Sequence, residues 1–148
     1  MTQNPLSGNE RRLQTNRMIE ELLAERQQMW QLYWELAEMK PFDKHKEPLE
    51  QILRRFCQVM IDYISLGHFG IYRRIIEGTE RRQQALEAAE KYYPAIAEAT
   101  EVALKFNDQC ENARLTDHDA LHQALSELGE ALATRIELED KLLAAMRR

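Results

Sequence analysis

The chain has 148 residues, a formal charge of −5, 44% hydrophobic residues and 30% charged residues. These values fit one domain with a real core and contain no run of the roughly 18 apolar residues that a membrane span needs. They also argue against a general nucleic-acid binder, which needs surplus Lys and Arg against phosphate.

Five Gly and four Pro, set among many Leu, Ala, Glu, Gln and Arg, predict an all-α chain. The opening MTQNPLSGNERR lacks the apolar stretch of a signal peptide. Cys57 and Cys110 lie far apart inside helical patterns, so both are expected as reduced thiols of a cytoplasmic protein. Residues 1–8 are expected to form a flexible N-terminus, and 9–148 a single helical-bundle domain of four long helices plus one short one.

From about Asn9 a long helix is predicted, with Leu13, Met18, Ile19, Leu22, Leu23, Met29, Trp30, Tyr33, Leu36 and Ala37 on its apolar side. Arg26 interrupts that side, either as an edge residue whose charge reaches water or as a charge turned inward. Trp30, Tyr33 and Trp34 span two sides of the helix, so at least one of them should be partly exposed. Lys40-Pro41 ends the helix, because the residue before proline is pushed out of the α region.

A second helix opens near Pro48 and should run, bent near Gly67, to about Glu77, with Gly78 as its stop. Its core row is Leu49, Ile52, Leu53, Phe56, Val59, Met60, Tyr63 and Ile64. Beside it, Asp62, Ser65, Phe69 and Tyr72, with His68 one turn from Tyr72, form a second stripe. A carboxylate, a hydroxyl, an imidazole and two aromatics beside a core face make this the candidate functional stretch. Gly67 and Gly70 would permit a kink or a close approach there.

Thr79 can cap a short third helix, and Tyr92-Tyr93-Pro94 predicts a break before a fourth. The fourth carries Ile96, Ala99, Val102, Ala103, Phe106 and Cys110 as a regular stripe. After a turn over 112–116, Thr116 or Asp117 caps the last helix. Leu121, Leu125, Leu128, Leu132, Ile136, Leu142 and Met146 follow its inner face. Gly129 should cost that helix about 1 kcal/mol relative to Ala unless a close helix contact compensates.

Catalytic and metal chemistry find little support. His118 and His122 share a helix face but have no third ligand at suitable spacing. His68 with Asp62 or Glu139 could form an acid–base pair, yet neither a nucleophile nor an oxyanion donor accompanies it. Neither a cofactor nor a metal site is expected, and the chain does not read as an enzyme. Arg54-Arg55, Arg73-Arg74, Arg81-Arg82 and Arg147-Arg148 are scattered over separate elements, as solvated edges are, and do not form a recognition helix.

The run FCQVMIDYISLGHFGIY, Phe56 to Tyr72, resembles the signature of the Rsd/AlgQ family of bacterial anti-σ proteins. Met39–Pro41, Tyr93-Pro94 and LGEALATRIELEDKL, Leu128 to Leu142, extend the resemblance along most of the chain. One departure is Glu20-Glu21-Leu22, where relatives carry Asp-Arg-Trp.

The resemblance implies a helical bundle that binds region 4 of the housekeeping σ70 factor and blocks its contacts with the −35 promoter element and with core RNA polymerase. It implies Arg26, Tyr33, Asp62, Ser65, Gly67, His68, Phe69, Tyr72, Glu139 and Asp140 as the residues concerned. Asp62, His68, Arg26 and Glu139 could instead form a buried polar network between helices, or do both by lining the groove. Expected partners are thus σ70 region 4, with no direct nucleic-acid or membrane contact, and a monomer or weak homodimer when free. The alternative is a helical-bundle sensor that holds a small ligand or metal between helices near His68.

Overall fold

Each long helix carries buried residues at alternating steps of three and four, the pattern that packs side chains into the gaps of a neighbouring helix. In the computed structural model, which describes residues 8–39, 46–73, 83–111 and 117–146, those stripes meet in one core. Helix α1 spans Gly8–Glu38 and α2 spans Lys46–Leu66, passing directly into a π-helical turn over Gly67–Tyr72. Helix α3 spans Gln83–Glu111 and α4 spans His118–Met146. No strand occurs among the described residues. The all-α bundle is as expected.

Side-chain contacts fix the topology. Met18 lies against Gly70 and Tyr33 against Phe56, so α1 and α2 run antiparallel. Phe56 meets Phe106 while Tyr72 meets Tyr93, which makes α3 antiparallel to α2. Arg26 reaches Asp140 while Tyr33 reaches Leu125, so α4 is antiparallel to α1. The result is an up-down-up-down bundle.

Several helix ends follow their chemistry. Pro48 falls in the first turn of α2, where its missing N–H leaves no bond unmade. Asp117 caps α4: its Oδ1 accepts from the Asp119 N–H at 3.0 Å, and its carbonyl accepts from Leu121 at 2.9 Å.

Three expectations are corrected. The short helix ending at Tyr92-Tyr93 does not stand apart, because α3 runs unbroken through Pro94. Its buried row Ala85, Ala89, Ile96, Ala99, Ala103 and Phe106 keeps register across the proline, and Pro94 itself is exposed. Core packing on both sides outweighs one lost backbone bond. Leu13, expected on the apolar side of α1, is 58% exposed; the row there is Thr15, Ile19 and Leu22. Ile136 is only half-buried, and its expected place on the inner face of α4 belongs to Arg135 and Glu139. Of the start expected to be flexible over residues 1–8, only Gly8 is described, and it opens α1. Residues 1–7, the expected stop at Gly78, the cap at Thr79 and the turn over 112–116 lie outside the described residues.

The close contact that Gly129 requires is with α1. A Cβ at that position would overlap the Tyr33 hydroxyl and come within 2.8 Å of its Cζ. The hydroxyl donates to the Leu125 carbonyl at 2.9 Å, so the absence of a side chain at Gly129 lets Tyr33 dock on α4.

A buried charge network between two grooves

At the middle of the bundle the apolar rows are interrupted together. Arg26 occupies the step between Leu22 and Met29 on α1, and Arg135 and Glu139 take consecutive steps of the row from Leu121 to Met146 on α4. Glu139 is fully buried and Arg135 is 1% exposed. Burying a carboxylate demands donors, and four side chains surround this one. Tyr63 donates to Oε1 at 2.5 Å and Tyr72 donates to Oε2 at 2.6 Å. Arg26 Nη1 lies 3.5 Å from Oε1, and Arg135 Nη2 lies 3.7 Å from Oε2, an ion pair too long for a hydrogen bond. Arg26 turns its remaining capacity outward, donating to the exposed Asp140 at 2.7 Å. Its two sequence readings therefore both hold: the side chain faces inward and its charge reaches the surface.

The π turn makes this convergence possible. Nine residues along a regular α-helix is about two and a half turns, which would set Tyr63 and Tyr72 on opposite faces. A π turn rotates each residue less, and the Arg73 N–H bonds back to the His68 carbonyl five residues earlier. Tyr72 is thereby carried round to the same carboxylate as Tyr63. Gly67 provides the clearance: a Cβ there would sit 3.3 Å from both Arg135 Nη2 and the Tyr72 ring. The Arg135 guanidinium lies 4.7 Å from the Tyr63 ring centre and 6.0 Å from that of Tyr72, a cation–π arrangement.

Electrostatics follow from the geometry. Burial, reinforced by the Glu139 charge, pushes both the Tyr63 and Tyr72 phenols well above their ordinary range, against the opposing pull of Arg135. Burial disfavours the Arg135 charge, but Tyr63, Glu139 and Tyr72 more than offset it, and its pKa rises. Arg26 behaves similarly: burial lowers it, while the hydrogen bond and charge of Asp140 and the charge of Glu139 raise it further.

The second stripe of α2 does not stay together. Asp62, exposed and accepting from Gln58 at 3.0 Å, borders a groove of about 460 Å³ against α1 with Glu21, Glu25 and Gln28. Ser65, His68, Phe69 and Tyr72 line a different cavity, of about 360 Å³, facing α3 and α4. Its other walls include Ile64, Tyr93, Ile96 and Leu104. Phe69 is 61% exposed and meets the His68 ring edge-on at 4.9 Å. One groove is acidic and the other apolar, and they flank α2.

Of the residues singled out from sequence, Arg26, Glu139, Asp140 and Tyr72 are joined in the network. Asp62 and His68 are not part of it. Tyr33 is buried in the α1–α4 contact, stacked on Trp30 at 5.0 Å, whereas Trp34 is 52% exposed. Tyr63, read only as core, is a principal donor, and Arg135 was not singled out at all. The row 121-125-128-132 continues as 135-139-142-146, and that unbroken spacing is the signal that places both charges inside. Cys57 is buried and Cys110 half-buried, with no disulfide at either. Among the described residues, no three His, Cys, Asp or Glu side chains are grouped to hold a metal ion, and no helix is long and apolar enough to cross a membrane.

The fold and site define a four-helix bundle with an ionic centre and two exposed grooves along one helix. The family model described as regulator of RNA polymerase sigma(70) subunit, Rsd/AlgQ, matches residues 1–147. A regulator of sigma D from Yersinia enterocolitica is 37% identical over 135 residues, covering 87% of this chain and 80% of that protein. One from Enterobacter sp. strain 638 is 41% identical over 133 residues, covering 88% and 80%. One from Salmonella paratyphi B is 37% identical over 133 residues, covering 87% and 81%. The chain belongs to the Rsd/AlgQ family of regulators of the RNA polymerase σ70 subunit. No solved structure matches it.

Proposed function

We propose that this protein is a cytoplasmic anti-σ factor that binds region 4 of σ70 one-to-one and performs no chemistry. Occupying region 4 blocks both its −35 promoter contact and its docking on core polymerase. Family membership supplies the σ70 partner, and the acidic groove at Glu21, Glu25 and Asp62 is the observation that carries the mode of binding. A module that reads DNA is basic, so such a groove steers its approach and sets its orientation. Glu21 belongs to the Glu20-Glu21-Leu22 departure, which here adds acidity where the partner would arrive.

The exposed Phe69 across α2 supplies an apolar anchor of the kind that dominates interface energetics. Asp62, Ser65, His68, Phe69, Asp140 and the outer end of Arg26 form the contact surface. Tyr72 and Glu139 are buried and act from behind it, holding the π turn and Arg26 in place, and Tyr33 is buried in the α1–α4 contact.

Calorimetric titration of the protein with isolated σ70 region 4 tests this. A saturable one-to-one complex is expected, weakening as salt rises because exposed charges are screened over about 10 Å at 0.1 M. The protein should also displace region 4 from −35 DNA. Failure to bind region 4, or affinity indifferent to salt, would overturn the corresponding part of the proposal.

A further inference from the structure

Arg135 leaves a problem that the network does not solve. Its Nη2 faces Glu139, but Nε and Nη1 are buried and have no hydrogen-bond partner among the described residues. A buried charged donor without an acceptor forfeits its full hydration. The same side chain lines the cavity of about 360 Å³ between the π turn, α3 and α4, within the size range of small-molecule sites. Its walls are mostly apolar, with Ile64, Ile96, Ala97 and Leu104 among them, while Ser65 and His68 stand beside Phe69. An apolar chamber with a few donors at one side is the usual construction of a ligand site.

The geometry points to a small-molecule site at which an uncharged molecule with an apolar body presents a carbonyl-type acceptor to the orphaned Arg135 nitrogens. An anion fits less well. The Arg135 charge is already balanced by Glu139, and Glu101 also borders the cavity, so a second buried negative charge would be repelled. Both nitrogens are closed to water, so the ligand reaches them only as side chains that line the cavity, His68 and Phe69 among them, move aside. Those two side chains are exposed and sit on the π turn, a segment whose hydrogen bonding already departs from the α pattern. Binding here requires no σ factor, so it stands or falls separately from the anti-σ reading.

Cyclohexanone is the probe, with cyclohexane and cyclohexanecarboxylate as comparisons, titrated into the full chain while the arginine Nε–H and isoleucine methyl resonances are followed. The Arg135 Nε–H signal is assigned by its loss in Arg135→Lys. Cyclohexanone should saturably shift that signal and the Ile64 and Ile96 methyls, and cyclohexane should move the methyls only. Ala97→Phe fills the cavity from its α3 wall and should weaken cyclohexanone by about tenfold or more, a loss typical of one excluded contact surface. An Nε–H signal that cyclohexanone leaves in place means an apolar void or an internal water only, and overturns the proposal. Tighter binding of the carboxylate than of the ketone, or wild-type affinity in Ala97→Phe, overturns it as well.

Discussion

Replacing Glu139 by Gln removes the charge at the centre of the bundle while keeping the shape of the side chain. The amide can still accept from one phenol and donate to the other, so the two tyrosine hydrogen bonds need not be lost. What disappears is the counter-charge of Arg135, which is 1% exposed and 3.7 Å away, and of the inner side of Arg26 at 3.5 Å. Breaking a buried ion pair on one side costs about 3–5 kcal/mol, a large share of the roughly 5–15 kcal/mol that holds a domain folded. For a chain of this size that is a fall in Tm of about 6–20 °C.

Asp140→Asn is the control. It removes the partner of Arg26 at a position 55% exposed, where a pair is worth about 0–1 kcal/mol. Urea and thermal melts of Glu139→Gln, Arg135→Met and the double variant give the coupling directly. The double variant should be more stable than the sum of the single losses requires, because the uncompensated guanidinium is gone with its partner. If Glu139→Gln melts within about 0.5 kcal/mol of wild type, or the two losses simply add, the central ion group is not a coupled unit.

Phe69→Ala should leave the melt unchanged, since that ring is 61% exposed, while weakening σ70 region 4 by about 2 kcal/mol or more; unchanged affinity would remove Phe69 from the interface. Gly129→Ala should destabilise by about 1–3 kcal/mol despite the better helix propensity of Ala, because the new methyl meets Tyr33. Adding Tyr33→Phe should recover part of that loss, and no recovery would show that the strain lies elsewhere. Pro94→Ala should raise stability by up to about 3 kcal/mol, the cost of proline inside a helix; an unchanged or lower Tm would mean that the proline is compensated locally.

Because Tyr63 and Tyr72 are raised well above 10.0 in the folded protein, the stability they contribute is fully present below that pH and falls as pH climbs from it toward their folded values. Tyrosinate absorbance from these two should therefore appear only with loss of helix signal, and ionisation of all five tyrosines ahead of unfolding would contradict their burial.

By itself the sequence determined the all-α class, the approximate extent of α1 and α4, and the stretch on which the grooves lie. Repeating steps of three and four are local, and a helix reports them wherever its apolar face is covered. It also contained the family signature, because Phe56 to Tyr72 must carry at once a core row, two glycines and exposed polar groups. The close contact at Gly129 was legible as a helix-weakening residue in need of a reason.

The tertiary structure decided where regular periodicity stops applying. The π turn rotates Tyr72 inward and separates it from Asp62, and nothing in an α-helical count of residues anticipates that shift. Pro94 reads locally as a break, yet the row from Ala85 to Phe106 buries enough surface on both sides to keep α3 whole. Arg135 looks like a surface residue by type; the spacing of its row points it inward, but only the meeting of α1, α2 and α4 shows what neutralises its charge there. A buried charge depends on partners distant in sequence: Tyr63 and Glu139 are 76 residues apart, and Arg26 and Glu139 are 113 apart.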